Sequence, residues 1–311
     1  MANQRFANTN QRFANTNQRF ANTNQRFANT NQRFANTNQS LDQFYTKDNI
    51  SEKCFNILKE NIDISLFDIF LEPSAGNGSF FKLLPIDKRE GIDLEPKMDG
   101  IKQGDFFKYK RKDDNKKYIT IGNPPFGKCS SLAVKFFNHA ALFSEVIAFI
   151  IPRTFKRISI HNQLNLNFKL LFTEDLPIKP CCFEPVMDAK CCFQIWIKNE
   201  EARNKIILPK SHKDFIFIPY GLKDDNNQPT PPLLDSFDFA IKAYGSNCGV
   251  IEDDKKRQFR PKSWHFIKCI IDIDILKKRF NELDYSISKD SCRQDSLGKC
   301  ELISLYQQQF G

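Results

Sequence analysis

The 311-residue chain carries a formal net charge of +9, but residues 2–39 repeat the heptapeptide NQRFANT, with five arginines and no acid, which leaves the body at about +4. That balance permits a polyanionic partner without demanding one. At 41% hydrophobic, and with no apolar run longer than residues 146–151, the composition excludes wholesale disorder and a membrane-spanning helix, which needs ~18–20 apolar residues.

The repeat places Phe beside Ala once every seven residues and lacks the second apolar stripe of a coiled coil. Residues 1–39 are therefore expected to be disordered, with a weak Arg/Phe tether for nucleic acid as the functional alternative. The start has no apolar signal-peptide core, and ten cysteines in a chain of this length make no disulfide scaffold, so a cytoplasmic, reduced setting is expected. Residues 48–61 have helical apolar spacing. Residues 68–72 (DIFLE), 91–94 and 118–122 (YITIG) read as short strands. Residues 131–143 read as a helix, 146–151 (VIAFII) as a buried strand stopped by Pro152, and 191–198 (CCFQIWIK) as another strand. Strands alternating with helices predict an α/β fold with a parallel sheet. Beyond residue 200 prolines break the rhythm. Helical character resumes at 233–244 and 273–283, and 220–232 reads as an exposed loop. A smaller α+β module over 201–311 is expected.

Three signals carry chemistry. Residues 70–81 (FLEPSAGNGSFF) run from a strand into Gly76-x-Gly78 and a predicted helix, so that the backbone passes close under a ligand and a helix N-terminus faces it. Phe81 stands where a dinucleotide site wants a small residue, and no Walker lysine follows, which argues against a phosphate clamp. Asp93, in GIDLEP at the end of the next strand, can accept hydrogen bonds from ribose hydroxyls. Asp105, in QGDFF, can take the exocyclic amine of an adenine beside an aromatic ring.

The third signal is GNPPFG at 122–127. Proline cannot continue a central strand, so the strand ends at Asn123, whose amide reaches the carboxyl edge of the sheet. Pro124 and Pro125 stiffen the loop and leave carbonyls free to accept. The Asn123 amide oxygen and the Pro124 carbonyl together suit one amino group, and Phe126 offers a face for stacking. The constellation fits an exocyclic amine on a planar base.

With LDQFYT at 41–46, EPSAGNG at 72–78, GIDLEP at 91–96, GDFF at 104–107 and NPPF at 123–126, the chain resembles the S-adenosylmethionine-dependent N6-adenine DNA methyltransferases with a C-terminal target-recognition region. The match covers roughly residues 41–200. It implies a Rossmann-like class I methyltransferase sheet with helices on both faces, S-adenosyl-L-methionine as cofactor and double-stranded DNA as partner. It implies that Tyr45 and Thr46 border the methionine end of the cofactor. Glu72, Ser74, Ala75, Gly76 and Gly78 would line its amino-acid and ribose portion, Asp93 would hold the ribose, and Leu94 would lie against adenine. Asp105 and Phe106 would bind the adenine amine, and Asn123, Pro124, Pro125 and Phe126 would hold the target base. Lys47, where the family often has Pro, and Asn77, between the glycines, depart from the pattern. The implied divisions are 1–39, the repeat; 40–200, the methyltransferase domain; and 201–311, target recognition. A restriction-modification setting fits the resemblance, and whether a restriction endonuclease partner exists is left open.

No metal is expected. The Cys181-Cys182 and Cys191-Cys192 pairs are adjacent, whereas structural zinc sites space their ligands by two to four residues. In the tail, Lys255, Lys256, Arg257 and Arg260 interleave with Phe259, Trp264 and Phe266, a pattern of cations for phosphates and aromatics for bases. The alternatives to a DNA enzyme are an RNA adenine or protein glutamine methyltransferase with an NPPF loop, and a non-catalytic nucleic-acid-binding protein on a methyltransferase fold.

Overall fold

Strands that are apolar at every position need cover on both faces. The computed structural model, which describes residues 44–254 and 257–311, shows how this chain supplies it. In chain order the first part comprises β1 (Tyr45–Thr46), α1 (Asp48–Asn61), β2 (Ile69–Pro73), β3 (Arg89–Asp93), β4 (Lys102–Gln103), β5 (Tyr118–Gly122), α2 (Ser131–Ala140), β6 (Val146–Pro152), α3 (Ile158–His161), β7 (Phe168–Asp175), β8 (Phe183–Glu184) and β9 (Cys191–Lys198). Seven of these strands make one sheet in the order β4-β3-β2-β5-β6-β9-β7. β4 to β6 run parallel, and β9 inserts antiparallel between β6 and β7.

The period of two sorts neighbouring residues to opposite faces. Ile119, Ile121, Ala148 and Ile150 join Cys54 and Leu58 of α1. Tyr118, Ile147, Phe149 and Ile151 join Phe136 and Phe137 of α2. Helices thus lie on both faces. Pro152 does not stop β6, as expected, but is its last residue, opposite Cys191. The missing N–H costs nothing there, because the next donor, Arg153 N, reaches Lys190 O at 2.9 Å.

The helix expected after the glycine loop is absent. Turns lead to a 3₁₀ segment, Phe81–Leu83, and a second, Ile86–Lys88. Residues 74–88 must hold both the glycine loop and the crossover to β3, and Pro85 interrupts them, so no room remains for an α-helix. The segment that follows the loop therefore supplies no α-helix dipole.

The rest comprises β10 (Phe215–Ile218), β11 (Phe239–Lys242), β12 (Ile251–Glu252), β13 (Trp264–Cys269), α4 (Ile273–Asn281) and α5 (Lys299–Phe310). The strands form an antiparallel sheet ordered β10-β13-β11-β12. Leu276 and Phe280 of α4 and Leu302, Ile303 and Tyr306 of α5 pack on Phe215, Phe239 and Ile267. The helix expected at 233–244 is instead a 3₁₀ turn, Leu234–Ser236, followed by β11. Phe237, Phe239 and Ile241 alternate with Asp238, Ala240 and Lys242, which is strand periodicity.

Residues 44–311 form one compact unit, with the seven-stranded sheet and a small β1–β8 pair before residue 200 and the four-stranded sheet after it. The half-buried guanidinium of Arg157, beyond β6, donates to the carbonyls of Ile287, Ser288, Asp290 and Ser296 and pairs with Glu301. Lys190 pairs with Asp295, and its N–H reaches Cys292 O at 2.7 Å. The repeat of residues 1–39, and Lys255 and Lys256, lie outside the described residues. Among the described residues no helix is long and apolar enough to cross a membrane.

Candidate active site

The glycine loop leaves β2 through a left-handed Ser74 (φ 50°) and turns again at Gly76 (φ 50°) and Gly78 (φ 75°). Asp93 at the end of β3 fastens it, with one carboxylate oxygen accepting from Gly76 N and the other from Glu95 N, each at 2.7 Å. Ala75 N also reaches Ile92 O at 3.0 Å. Each Asp93 oxygen keeps a lone pair for a ligand, but the residue is also the clamp of the loop.

Glu72 is placed differently from its implied role. It is 3% exposed, and its carboxylate accepts from Phe81 N at 2.6 Å. Burial pushes its carboxyl well above the usual range, against the pull of the Phe81 and Phe80 amides and of Lys82. It holds the far end of the loop from inside.

The glycines do not lie bare. A Cβ on Gly76 would meet Tyr45 Cε1 at 2.9 Å, and one on Gly78 would meet Met98 Sδ at 2.3 Å. Tyr45 therefore covers the loop on one side and Met98 on the other. The Tyr45–Thr46 strand is held in place by β8, pairing Tyr45 with Glu184 and Thr46 with Phe183. Ser79 Oγ donates to Thr46 O at 2.6 Å. Thr46 Oγ1 is buried without a hydrogen-bond partner.

Leu94 is 52% exposed at the end of β3, where it can meet a planar group. Asp105 spends one oxygen on Phe107 N at 2.9 Å. Phe106 is not beside this carboxylate as a ligand surface. It is 4% exposed and packs on Phe136 and His139, with ring centroids 5.0 and 4.8 Å away. The neighbouring Phe107, 40% exposed, is the ring that solvent reaches.

Asn123 follows the last residue of β5 directly. Its Nδ2 donates to Phe44 O at 3.2 Å, which fixes the amide orientation and leaves Oδ1 buried without a partner. Pro124 is buried, and Pro125 and Phe126 are half-buried. The Phe126 carbonyl accepts from Leu132 N and Ala133 N at 3.1 and 3.3 Å, so the loop caps α2. Its ring meets Phe183 edge-on at 6.5 Å. Gly127 (φ 67°) lets the chain turn where a Cβ would lie 2.7 Å from that of Leu132.

The segment Phe44–Thr46 thus touches the glycine loop at one end and Asn123 at the other. Sequence reasoning missed Phe44, Ser79, Met98 and Phe183. Phe44 acts through its carbonyl, which no side-chain pattern reveals, and the other three act through long-range packing.

The tail residues divide. Trp264 is 5% exposed among Phe237, Phe259 and Phe266, so it is a core residue and offers no face to a base. Arg257 lies over its ring at 5.1 Å and pairs with Glu252. Arg260 is exposed. The cysteines Cys54, Cys191 and Cys192 are buried, and burial pushes their thiols up, Cys192 to about 12, so they pack as neutral groups. Among the described residues no cluster of His, Cys, Asp or Glu is arranged to hold a metal.

The strand order, with its single antiparallel insertion next to the far edge and its glycine loop and acidic strand end at the carboxyl edge, is the Rossmann-like sheet of class I methyltransferases. No protein-family model matches the chain, and no curated protein matches it in sequence. Among solved structures, the chain is similar to a putative RNA methyltransferase from Pyrococcus horikoshii, at 17% identity over 54% of this chain and 90% of that one, TM-score 0.40. It is also similar to the magnesium protoporphyrin IX methyltransferase of Synechocystis with bound S-adenosylmethionine, at 9% identity over 48% and 79%, TM-score 0.35. A tRNA (uracil-54, C5)-methyltransferase from Pyrococcus abyssi in complex with S-adenosyl-L-homocysteine matches at 14% over 47% and 38%, TM-score 0.31. The fold assignment rests on the strand order.

Proposed function

We propose that this chain is an adenine-specific DNA methyltransferase that uses S-adenosyl-L-methionine, with residues 201–311 as its target-recognition region. The observation that carries the reading is Asn123 Oδ1: a buried acceptor without a partner, its orientation fixed by the bond of its own Nδ2 to Phe44. A buried polar atom left unpaired costs about 1–3 kcal/mol, and an incoming amine would relieve that cost.

The residues around the glycine loop fit the cofactor. Asp93 retains acceptor capacity, Leu94 is exposed, and Thr46 Oγ1 lacks a partner. When bound, the cofactor supplies an electrophilic methyl group on a sulfonium. The chain's own part is to make the adenine amine nucleophilic. Its lone pair is delocalised into the ring. Asn123 Oδ1 and the Pro124 carbonyl accept from its two hydrogens, pull the nitrogen toward sp³ and localise the lone pair. With the methyl group of the bound cofactor as electrophile, the positive charge developing on nitrogen would fall against these acceptors, and one proton would then leave to solvent. The gain is positioning plus electrostatics. Phe126 supplies stacking for a base taken out of the duplex.

The test is to incubate purified protein with tritiated-methyl cofactor and duplex DNA, RNA or protein, and to identify the labelled product. N6-methyldeoxyadenosine is expected. Label on RNA or on glutamine moves the substrate to that class, and no transfer to any substrate, with cofactor bound, sinks the enzymatic reading.

A further inference from the structure

A cavity of about 560 Å³ opens on the C-terminal sheet, lined by Lys242, Tyr244, Arg257, Gln258, Arg260 and Gln294, with Trp264 also in its wall. Its size falls within the ~300–1,000 Å³ of small-ligand sites. We propose that it receives one nucleotide flanking the methylated adenine, drawn out of the DNA duplex so that the face of its base as well as the edge is exposed, and so helps set sequence specificity. The proposal rests on the DNA-methyltransferase reading above.

The chemistry of the lining is that of a nucleotide. Among the described residues neither Lys242 nor Arg260 has an acidic partner, which leaves two cations for a phosphate. The amides of Gln258 and Gln294 make no side-chain hydrogen bond to any described residue in the cavity wall, and a glutamine amide offers the donor-acceptor pair that matches the major-groove edge of adenine. Tyr244, 46% exposed, offers a face for stacking. Arg257 and Trp264 serve as wall, since each is occupied by the other. A simple anion would need the cations alone. Two cations, two unpaired amides and a tyrosine together match phosphate, base edge and base face.

The cavity is also fastened to the methyl-transfer loop. Gly245 N reaches Asp295 O at 2.9 Å and Leu297 N reaches Ala243 O at 2.8 Å, which seat the Gln294 loop on the end of β11. Asp295 pairs with Lys190, in the connection between β8 and β9, and Phe183 of β8 stands against Phe126. The cavity wall and the Phe126 ring thus contact the same segment, residues 183–190.

The experiment uses the full chain and a library of duplexes with randomised bases around the target adenine, scored by sequencing of methylated products. Salt-dependent binding is measured in parallel on the same duplexes. Gln258→Ala and Gln294→Ala are expected to relax base preference at one flanking position by roughly 5–150-fold, the equivalent of the ~1–3 kcal/mol of a bidentate base contact. Lys242→Ala with Arg260→Ala is expected to weaken binding across all sequences and to reduce the salt slope by about 1. Cofactor affinity and melting temperature report whether each variant is folded. Unchanged preference, affinity and slope in folded variants overturn the cavity assignment and leave the enzymatic reading standing. Wild-type protein that places no methyl on DNA, while the Lys/Arg variant still loses duplex binding, supports the cavity and overturns the enzymatic reading. Effects confined to RNA of the same sequences overturn the DNA assignment.

Discussion

The side-chain amide of Asn123 donates to the backbone carbonyl of Phe44 at 3.2 Å, across 79 residues of chain. That bond fixes which end of the amide is left without a partner. It also ties the NPPF loop to the segment that covers the glycine loop, so the two halves of the proposed site share one backbone strand.

Asn123→Ala is expected to reduce turnover by on the order of 10²-fold or more, because the lost acceptor acts where charge develops. Cofactor affinity is expected to change far less. Single-turnover methylation beside calorimetric cofactor titration checks both, and near-wild-type turnover would rule out the proposed mechanism.

Phe126→Ala removes a half-buried ring that faces Phe183 on one side. The loop stays capped on α2 through the Phe126 backbone carbonyl, which the substitution keeps. Productive DNA binding is expected to fall by about 1–3 kcal/mol. Duplexes with a mismatched target adenine are expected to lose less, since that base leaves the stack more easily. Equal losses on matched and mismatched duplexes would count against base stacking.

Asp93→Asn keeps an acceptor for one of the two backbone amides and removes the charge. Cofactor binding is expected to weaken by roughly the 1.5–3 kcal/mol of charged hydrogen bonds. Melting temperature is expected to fall as well, because Gly76 N and Glu95 N both lean on this carboxylate. Calorimetry showing unchanged cofactor affinity would leave Asp93 as a clamp only.

Gly76→Ala forces a side chain into a left-handed turn, at about 1–2 kcal/mol, and drives its Cβ into the Tyr45 ring. The outcome expected is a lower melting temperature together with a severalfold weaker cofactor Kd. A variant as stable as the parent would show that Tyr45 moves aside freely.

His265 donates from Nε2 to Leu297 O at 2.8 Å, and its Nδ1 is buried without a partner. Burial lowers its pKa from 6.5 to about 4, despite the Leu297 carbonyl, with Lys299 adding to the drop. The unfolded chain therefore binds the proton more readily. The stability His265 confers is complete above pH ~6.5 and is lost as pH falls toward about 4, up to ~3 kcal/mol. Denaturant melts from pH 7.5 to 4 check this, and His265→Gln is expected to flatten that part of the profile.

Much of this was legible in the residues. The strand ending at Asn123 followed from two prolines that no central strand tolerates, and the order of the glycine loop, Asp93 and Asp105 followed from spacing. Other features depend on tertiary packing. Phe106 and Phe107 are adjacent and identical, and only the position of α2 decides which is buried. Trp264 sits in a basic stretch that looks exposed, yet β13 turns it into an aromatic cluster. The absent helix after the glycine loop was a matter of length, since residues 74–88 were asked to hold too much. Residues 233–244 carried a strand period in Phe237, Phe239 and Ile241 that apolar density obscured.

The acceptors of Arg157 lie 130 to 144 residues downstream of it. Closing so long a loop is slow, and during synthesis it must wait for residues 287–301 to emerge. Until then a cation sits at the exit of β6 with its acceptors still unmade. A nascent chain, or one ended by a premature stop before residue 287, would present a nearly finished sheet with an unsatisfied charge just beyond the end of β6, a form suited to capture by chaperones or proteases.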